Sequence, residues 1–404
     1  MQLLNTTTRE SPIPHDLLPV LAKGFRPFFL LAALYAVVMV PLWLAMLNGE
    51  ITTTSTYLEP VTWHAHEMIW GFVVAVVAGF LLTAVGNWTQ RETATGAALA
   101  GLVLLWLAGR LALLFTAVLP RGGPALVDLA FLPALAIVLA RPLLATNNRR
   151  NFVMIAVLAA LFAANLVVHL DALTVLPAGS ARYANLASVD LIVLLIMIIG
   201  GRVFPTFTRN ATGVGTIRSV AWLDRTSLFA MAALLLVDVI APGAVRFSAV
   251  LAGIAGLLAA GRAVHWGARH ALGNPLLWVL HAGYGWLVIG LLLRGASGTV
   301  GTPFSSVATH ALTVGAVGTL TLGMMARVSL GHTGRALAAP RAMTWSFVAI
   351  TLAALVRVLV PWLAPVHYGA ALVAAGVLWV LAFGIFLATY APVLCRRRLD
   401  GKPG

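Results

Sequence analysis

The sequence is poor in cysteine and in charged residues, and each shortage excludes a class of protein. Cys395 is the one cysteine in 404 residues, which rules out an intrachain disulfide framework, an iron–sulfur cluster and a thiolate zinc site. Charged residues make up 9% of the chain, whereas a soluble domain has roughly 25%. The composition therefore excludes a soluble enzyme, a coiled coil, a disordered regulator and a nucleic-acid-binding protein.

Common catalytic signatures are missing as well. The sequence contains no His-Glu-x-x-His, no Gly-x-Ser-x-Gly, no phosphate-binding loop and no pair of thiols. Apolar residues, in contrast, are abundant and amount to 61% of the chain. Because long apolar segments leave no room for a folded domain outside the membrane, any chemistry must lie between transmembrane helices.

Twelve apolar segments, bounded by proline, glycine or charged residues, predict an all-α, polytopic membrane bundle. We expect one transmembrane domain over residues 1–404, with a cytoplasmic segment at 1–27, the bundle at 28–390 and a basic cytoplasmic tail at 391–404. The predicted spans are 28–47, 64–85, 97–119, 125–140, 152–171, 185–204, 226–241, 247–261, 276–294, 304–325, 343–360 and 368–390.

Basic residues are distributed unequally between the loops, and this asymmetry predicts the orientation of the bundle. If the N-terminus is placed in the cytoplasm, the outer side receives only six of the 26 Lys and Arg residues. Because cytoplasmic loops are enriched in Lys and Arg, both termini of this multi-pass protein are predicted to be cytoplasmic. The six outer residues are Arg110, Arg121, Arg182, Arg246, Arg294 and Arg357.

Acidic residues show the opposite distribution. Seven of them fall in the outer half of the predicted bundle or in the outer loops: Glu50, Glu59, Glu67, Asp128, Asp171, Asp190 and Asp238. Acidic residues contribute little to topology, so another cause is needed. They either pair with buried polar groups or form a vestibule that attracts cations or protons, and the sequence leaves both explanations open.

Ionisable side chains inside a membrane are costly, which makes them functional candidates. Six of the ten histidines are candidate metal ligands, since imidazole suits copper, haem iron and zinc. Hydrogen bonding to a neighbouring helix or to interfacial groups is the alternative role. The six are His64, His66, His169, His281, His310 and His332.

The segment Trp63-His-Ala-His-Glu-Met68, at the outer end of the second span, is the most informative. On a regular helix His64, Glu67 and Met68 share one face, whereas His66 points roughly 200° away from His64. The two imidazoles then serve two sites, unless the first turn is unwound. The Met68 thioether would favour Cu(I), and Glu67 is the candidate catalytic residue, as a proton relay.

The other buried histidines lie at different depths. His310 is about 9 Å below the outer end of its span and His281 about as far from the inner end of its own, so about 12 Å separates them along the membrane normal. That separation allows two metal sites or one large cofactor. His169 is level with His64, and Tyr284 shares the face of His281, where it could stack on a cofactor.

His332 lies in a basic loop, Arg327-Val-Ser-Leu-Gly-His-Thr-Gly-Arg335, on the predicted cytoplasmic side. Together with Arg202, the arginines Arg327 and Arg335 could clamp carboxylates such as haem propionates. A solvated membrane anchor is the alternative role of this loop.

Several of these strings together resemble the NnrS family of bacterial membrane proteins, over about residues 20 to 390. The resemblance implies a twelve-helix inner-membrane protein that carries haem and copper and is associated with nitric oxide stress and denitrification. The six histidines match family histidines, but the resemblance does not say which metal each binds. The strings are Phe25-Arg-Pro-Phe-Phe29, Trp63-His-Ala-His-Glu-Met68, Gly79-Phe-Leu-Leu-Thr-Ala-Val-Gly-Asn-Trp88, Gly201-Arg-Val-Phe-Pro205, His281-Ala-Gly-Tyr284 and the loop from Arg327 to Arg335.

These observations predict a protein that binds nitric oxide at a buried metal site and reduces two molecules to nitrous oxide, with haem b and copper as cofactors. The electrons would come from an unidentified donor, a quinol or a redox protein. Two alternatives remain: a nitric oxide sensor or scavenger without turnover, and a secondary transporter with twelve spans.

Overall fold

The computed structural model describes residues 18–51, 57–300 and 303–402. Residues 1–17 of the predicted N-terminal segment and 403–404 of the predicted tail lie outside the described residues. Throughout the part that is described, the regular structure is helical. The predicted all-α fold is therefore confirmed.

Twelve long helices, α1 to α12, coincide with the twelve predicted spans. Eleven of them are long and apolar enough to cross a membrane. The exception, α7, has 20 residues but carries the charged side chains of Asp224, Arg225 and Asp238. The helices are α1 Phe25–Leu47, α2 Pro60–Thr89, α3 Gly96–Leu114, α4 Gly123–Ala145, α5 Arg149–Ala172, α6 Ser180–Thr212, α7 Ala221–Ile240, α8 Val245–Trp266, α9 Pro275–Gly298, α10 Ser306–Gly331, α11 Arg341–Leu363 and α12 Pro365–Leu394.

Consecutive helices pack side by side, and α12 packs against α1, so the bundle closes on itself. Two helices are enclosed more completely than the others: 83% of the apolar stretch of α2 and 72% of that of α10 are buried. Helix α6 contacts both of them. The two helices that carry His64, His66 and His310 therefore lie at the centre of the bundle.

Both central helices contain a π-helical segment that begins directly after a histidine. In α2 it covers Glu67–Val73, following His66, and in α10 it covers Ala311–Gly318, following His310. A π segment inserts an extra residue into the turn and is found frequently at functional sites. The two π segments thus mark the region in which the candidate ligands lie.

Both ends of the described chain meet at one end of the bundle, which we call the terminal end. The Arg26 guanidinium, at the start of α1, donates hydrogen bonds to the carbonyl oxygens of Leu394 (2.9 Å) and Arg396 (2.7 Å), at the end of α12. The two termini therefore leave the bundle on the same side, and their cytoplasmic location stays a prediction.

Candidate metal centres

A cavity of about 1000 Å³ lies in the half of the bundle away from the terminal end. Its wall includes parts of α1, α2, α6, α10, α11 and α12, and it reaches the surface at the exposed residues Glu59 and Arg182. Pockets that bind cofactors and other small molecules typically have volumes of roughly 300–1,000 Å³. The cavity is therefore large enough for a macrocycle, and two of the six candidate histidines line it, His64 and His310.

His64 is held by stacking and keeps both ring nitrogens available. Its ring lies parallel to the Trp43 indole, at a centroid distance of 4.0 Å and an angle of 24°. The imidazole makes no hydrogen bond to the residues that the structure describes, although it is half-buried on the cavity wall. Such a ring can bind a ligand without first losing a hydrogen bond.

His310 has its two nitrogens in different roles. Nδ1 donates to the Ser306 carbonyl oxygen at 2.7 Å, and Nε2 lies 3.1 Å from Nη2 of Arg357. Because a carbonyl only accepts and a guanidinium only donates, the ring is neutral and Nε2 keeps its lone pair. A metal-ligating histidine usually has its other N–H fixed in this way by a carbonyl or carboxylate.

Arg357, on α11, is a buried cation beside both cavity histidines. It is 5% exposed and acts electrostatically on His64 and His310. Its Nη1 atom is buried without a hydrogen-bond partner among the described residues, and no carboxylate in that part of the chain forms a salt bridge with it. An anion in the cavity would find this guanidinium available.

A second group of candidate ligands joins His66 of α2, Asp128 of α4 and His169 of α5, and we call it the His–Asp–His cluster. One ligand atom from each residue lies within 4.8 Å of the other two. Nε2 of His66 is 3.3 Å and Nε2 of His169 is 3.0 Å from Asp128 Oδ2. All three side chains are buried, at 0 to 4% exposure. This set of two nitrogens and one oxygen suits a transition-metal ion.

Each histidine of the cluster has its Nδ1 held by another group. Nδ1 of His66 donates to Glu67 Oε1 at 2.8 Å, while Nδ1 of His169 lies 2.8 Å from the Tyr57 hydroxyl. Burial raises the pKa of Tyr57, in the loop before α2, to about 12, so this hydroxyl keeps its proton. The two Nε2 atoms are thereby directed at the same carboxylate.

Polar partners surround the cluster and balance the charge of its carboxylates. Arg110 of α3 binds both carboxylates, Glu67 Oε1 at 2.8 Å and Asp128 Oδ1. Asn165 donates to Asp128 Oδ2 at 2.7 Å and accepts from His66 Nε2 at 2.8 Å. Both ring nitrogens of His66 face acceptor oxygens, so the group holds one proton more than neutral histidines would supply. With that proton, two carboxylates and one guanidinium sum to zero, and a metal cation could bind in place of the proton.

His281 has a structural environment. Its Nε2 lies 2.9 Å from the Thr208 hydroxyl, which itself donates to the Phe204 carbonyl, so the imidazole is the donor. Tyr284, predicted to stack on a cofactor, packs against Trp266 at a centroid distance of 4.5 Å. Neither residue lines the large cavity or belongs to the His–Asp–His cluster.

His332 and the predicted arginine clamp lie at the terminal end. His332 and Arg202 line a smaller cavity of about 400 Å³, and Arg327 stacks on Phe207, at 3.9 Å from the ring centroid. Burial and the nearby Arg398 and Lys23 lower the pKa of His332, which keeps its ring neutral. Arg335 donates to the Thr333 carbonyl within its own loop. This clamp is thus distant from the large cavity.

One geometric expectation for α2 is wrong, and another is met. Glu67 does not face the cavity with His64 and Met68; it turns towards His66, Arg110 and Tyr35, whose hydroxyl also binds it. Glu67 is three residues from His64, which leaves it roughly 60° away around a helix, and its ion pair with Arg110 of α3 holds it on that side. His64 and His66 do belong to two different sites.

Sequence reasoning gave no site role to several residues that complete these sites. Asp128 was placed only among the outer acids, while Arg110 and Arg357 were counted only as outer basic residues. A signal was present, because a charged side chain inside a transmembrane segment is itself a functional candidate. Their partners, however, come from other helices and depend on the packing of the bundle.

Comparison with known proteins gives one family match. A family model described as NnrS protein matches residues 19–398, nearly the whole chain and all twelve helices. The chain belongs to the NnrS family. No curated protein matches it. The NnrS match covers both the cavity histidines and the His–Asp–His cluster.

Proposed function

We propose that this NnrS protein binds nitric oxide at a haem/copper centre and reduces it to nitrous oxide, at the inner membrane. The observation that carries the proposal is the pair His64 and His310, which line one cavity. The His64 ring makes no hydrogen bond to the described residues, and His310 Nε2 has a lone pair that now accepts from Arg357 and that a metal would take in its place. The family resemblance, which implies haem and copper, supports the same reading.

The large cavity fits the haem. His64 and His310 supply imidazole ligands, and the unpaired Arg357 Nη1 can neutralise a propionate carboxylate. The His–Asp–His cluster offers three convergent donor atoms within 4.8 Å of one another, which suits a single copper ion. The predicted roles of His281, His332, Tyr284 and the arginine clamp stay predictions.

The cavity also suits nitric oxide. The gas is small and apolar, so it can reach the site from the lipid phase, and much of the cavity wall is apolar, including Val40, Phe72, Val317 and Trp379. Reduction of two molecules to nitrous oxide and water consumes two electrons and two protons. The bound metals would supply the redox chemistry, and a quinol or a redox protein would supply the electrons.

Hydrogen bonds connect Glu67 with the cavity wall. From Glu67 they pass through His66, Asn165 and Asp128 to His169, and then to Tyr57, which lines the cavity. Since Glu67 does not itself line the cavity, a proton that it holds would reach the wall through the titratable members of this network. The amide of Asn165 is bypassed, because His66 Nε2 lies 3.3 Å from Asp128 Oδ2. Its role is therefore that of a relay inside the network.

One experiment separates turnover from simple binding. Nitric oxide is added to the purified, reduced protein while the absorption spectrum and released nitrous oxide are recorded together. A nitrosyl spectrum with nitrous oxide supports the reductase, and a nitrosyl spectrum without it supports the sensor or scavenger. No spectral change in haem-loaded protein would contradict both.

A further inference from the structure

A second charged group lies on the wall of the large cavity, formed by Asp190 of α6, Asp238 of α7 and Arg294 of α9. Arg294 Nη1 donates to Asp190 Oδ1 at 2.6 Å, and Nη2 donates to Asp238 Oδ2. Ser248 of α8 donates to Asp238 Oδ1 at 2.6 Å. We call these three charged residues the aspartate–arginine triad.

The triad has one more negative than positive charge if both carboxyls are ionised. The charged groups that act on Asp190 are Arg294 and Asp238, and the neighbour from α8, Ser248, is neutral. Asp190 is fully buried, at 0% exposure. An uncompensated charge in the interior of a membrane bundle is costly, and a single bound proton removes it.

The hydrogen bonds indicate which oxygen holds the proton. Both oxygens of Asp238 and Oδ1 of Asp190 already accept hydrogen bonds. Asp190 Oδ2 is buried and has no partner among the described residues. A proton there leaves every existing hydrogen bond of the triad in place.

We propose that Asp190 carries a proton on Oδ2 at neutral pH and is the proton donor of the cavity wall. The step is a simple transfer, in which the Asp190 carboxyl becomes a carboxylate and the proton passes to an acceptor in the cavity. A proton from bulk solvent, carried by water that enters beside the exposed Glu59, then restores the Asp190 carboxyl. The identity of the acceptor, reduced nitric oxide, rests on the proposed function.

Arg294 stabilises the carboxylate between the two transfers, because it already binds Oδ1. Asn185 lines the same cavity, and its side-chain oxygen Oδ1 is also buried without a partner among the described residues. It gives this wall a second acceptor for a water molecule that carries the proton. The triad lines the cavity, whereas the three residues of the His–Asp–His cluster do not. Only Tyr57, which is bonded to His169, connects that cluster with the cavity wall.

Infrared spectroscopy of the purified full-length protein tests the proposal. At neutral pH we expect a protonated-carboxyl C=O band that shifts in D₂O, and the shift should be slow because Asp190 Oδ2 is buried behind the cavity wall. Asp190→Asn should remove the band. The control Glu59→Gln, at an exposed carboxyl on the same cavity, should retain it.

A second variant separates a shared charge from simple burial. Asp238→Asn removes one negative charge, so Arg294 then balances Asp190 alone, and Asp190 should ionise and lose the band. A band that persists in Asp238→Asn would overturn the charge argument. Absence of the band from the wild type, or its retention in Asp190→Asn, would overturn the proposal. This test does not depend on whether the Asp238 variant folds.

Activity gives an independent readout. In Asp190→Asn, release of nitrous oxide should fall by about 100-fold, the scale of general-acid catalysis, while the nitrosyl spectrum stays unchanged. Unchanged release would contradict the donor role. If wild-type protein releases no nitrous oxide, the proposed function fails, but the infrared bands still decide whether Asp190 holds the proton.

Discussion

The partners of each imidazole separate the candidate ligands from the structural histidines. His310 donates through Nδ1 and keeps the lone pair of Nε2, whereas His281 uses Nε2 to bind a hydroxyl. The sequence predicts that both histidines are buried and does not distinguish their roles. His310 binds the Ser306 carbonyl one turn away on its own helix, whereas His281 binds Thr208 on another helix. Only the contact of His281 depends on how the helices pack.

Asp128 is the residue on which the His–Asp–His cluster depends. Asp128→Asn keeps the size of the side chain but removes the negative charge that both Nε2 atoms face. We expect copper affinity to fall by at least 10-fold, measured as copper retained against a soluble chelator. Asp171→Asn is the matched control, because Asp171 binds the backbone N–H of Ala181 at 2.7 Å and lies outside the cluster. Equal copper retention in both variants would refute the assignment.

At the scale of helices, apolar runs were sufficient to locate all twelve, including α7 with its three charges. Helix contacts were not predictable in the same way. Arg110 and Glu67 are 43 residues apart, and no local pattern in either segment indicates that they meet. The face predicted for Glu67 is wrong for the same reason, because its partner Arg110 comes from another helix.

The π segment of α2 depends on close contact with α1. Gly71 lies against the Tyr35 ring, and an added Cβ would overlap it; Tyr35 in turn binds Glu67. We expect Gly71→Ala to destabilise the protein by about 1–3 kcal/mol, the usual cost of overpacking, measured as a lower Tm in detergent.

Gly101→Ala is the control for that substitution. Gly101 lies in α3 with open space around its Cα, and alanine is favoured over glycine in a helix by about 0.5–1 kcal/mol. Its Tm should therefore be unchanged or slightly raised. If Gly71→Ala behaved in the same way, the tight contact between α1 and α2 would be refuted.

For the whole molecule, the charge distribution now has a structural explanation. Two of the six outer arginines are buried, Arg110 against acids and Arg357 against His310, and a third, Arg294, is half-buried against acids. Four of the outer acids are their partners: Glu67, Asp128, Asp190 and Asp238. Pairing with arginines therefore accounts for many of the acidic residues in the outer half. Asp190 and Asp238 also line the large cavity, which agrees with the second explanation, a vestibule that attracts cations or protons.

The single cysteine gives a direct measurement of topology. Cys395 is exposed and follows α12 at the terminal end. A membrane-impermeant maleimide should label it in inverted vesicles and leave it unlabelled in intact spheroplasts, because the termini are predicted to be cytoplasmic.

A double variant provides the matched control. Cys395→Ser combined with Val118→Cys moves the thiol to an exposed position between α3 and α4, at the other end of the bundle. Its labelling pattern should be the reverse. Labelling of Cys395 in intact spheroplasts would contradict the predicted orientation.

The haem content of purified protein tests the central claim most directly. From cells supplied with iron and copper, the wild type should contain both metals and show a haem absorption spectrum. His64→Ala and His310→Ala should each lose haem, while His367→Ala, at an exposed histidine, should retain it. A wild-type protein without iron, copper or haem absorption, or cavity variants with unchanged haem, would contradict the account.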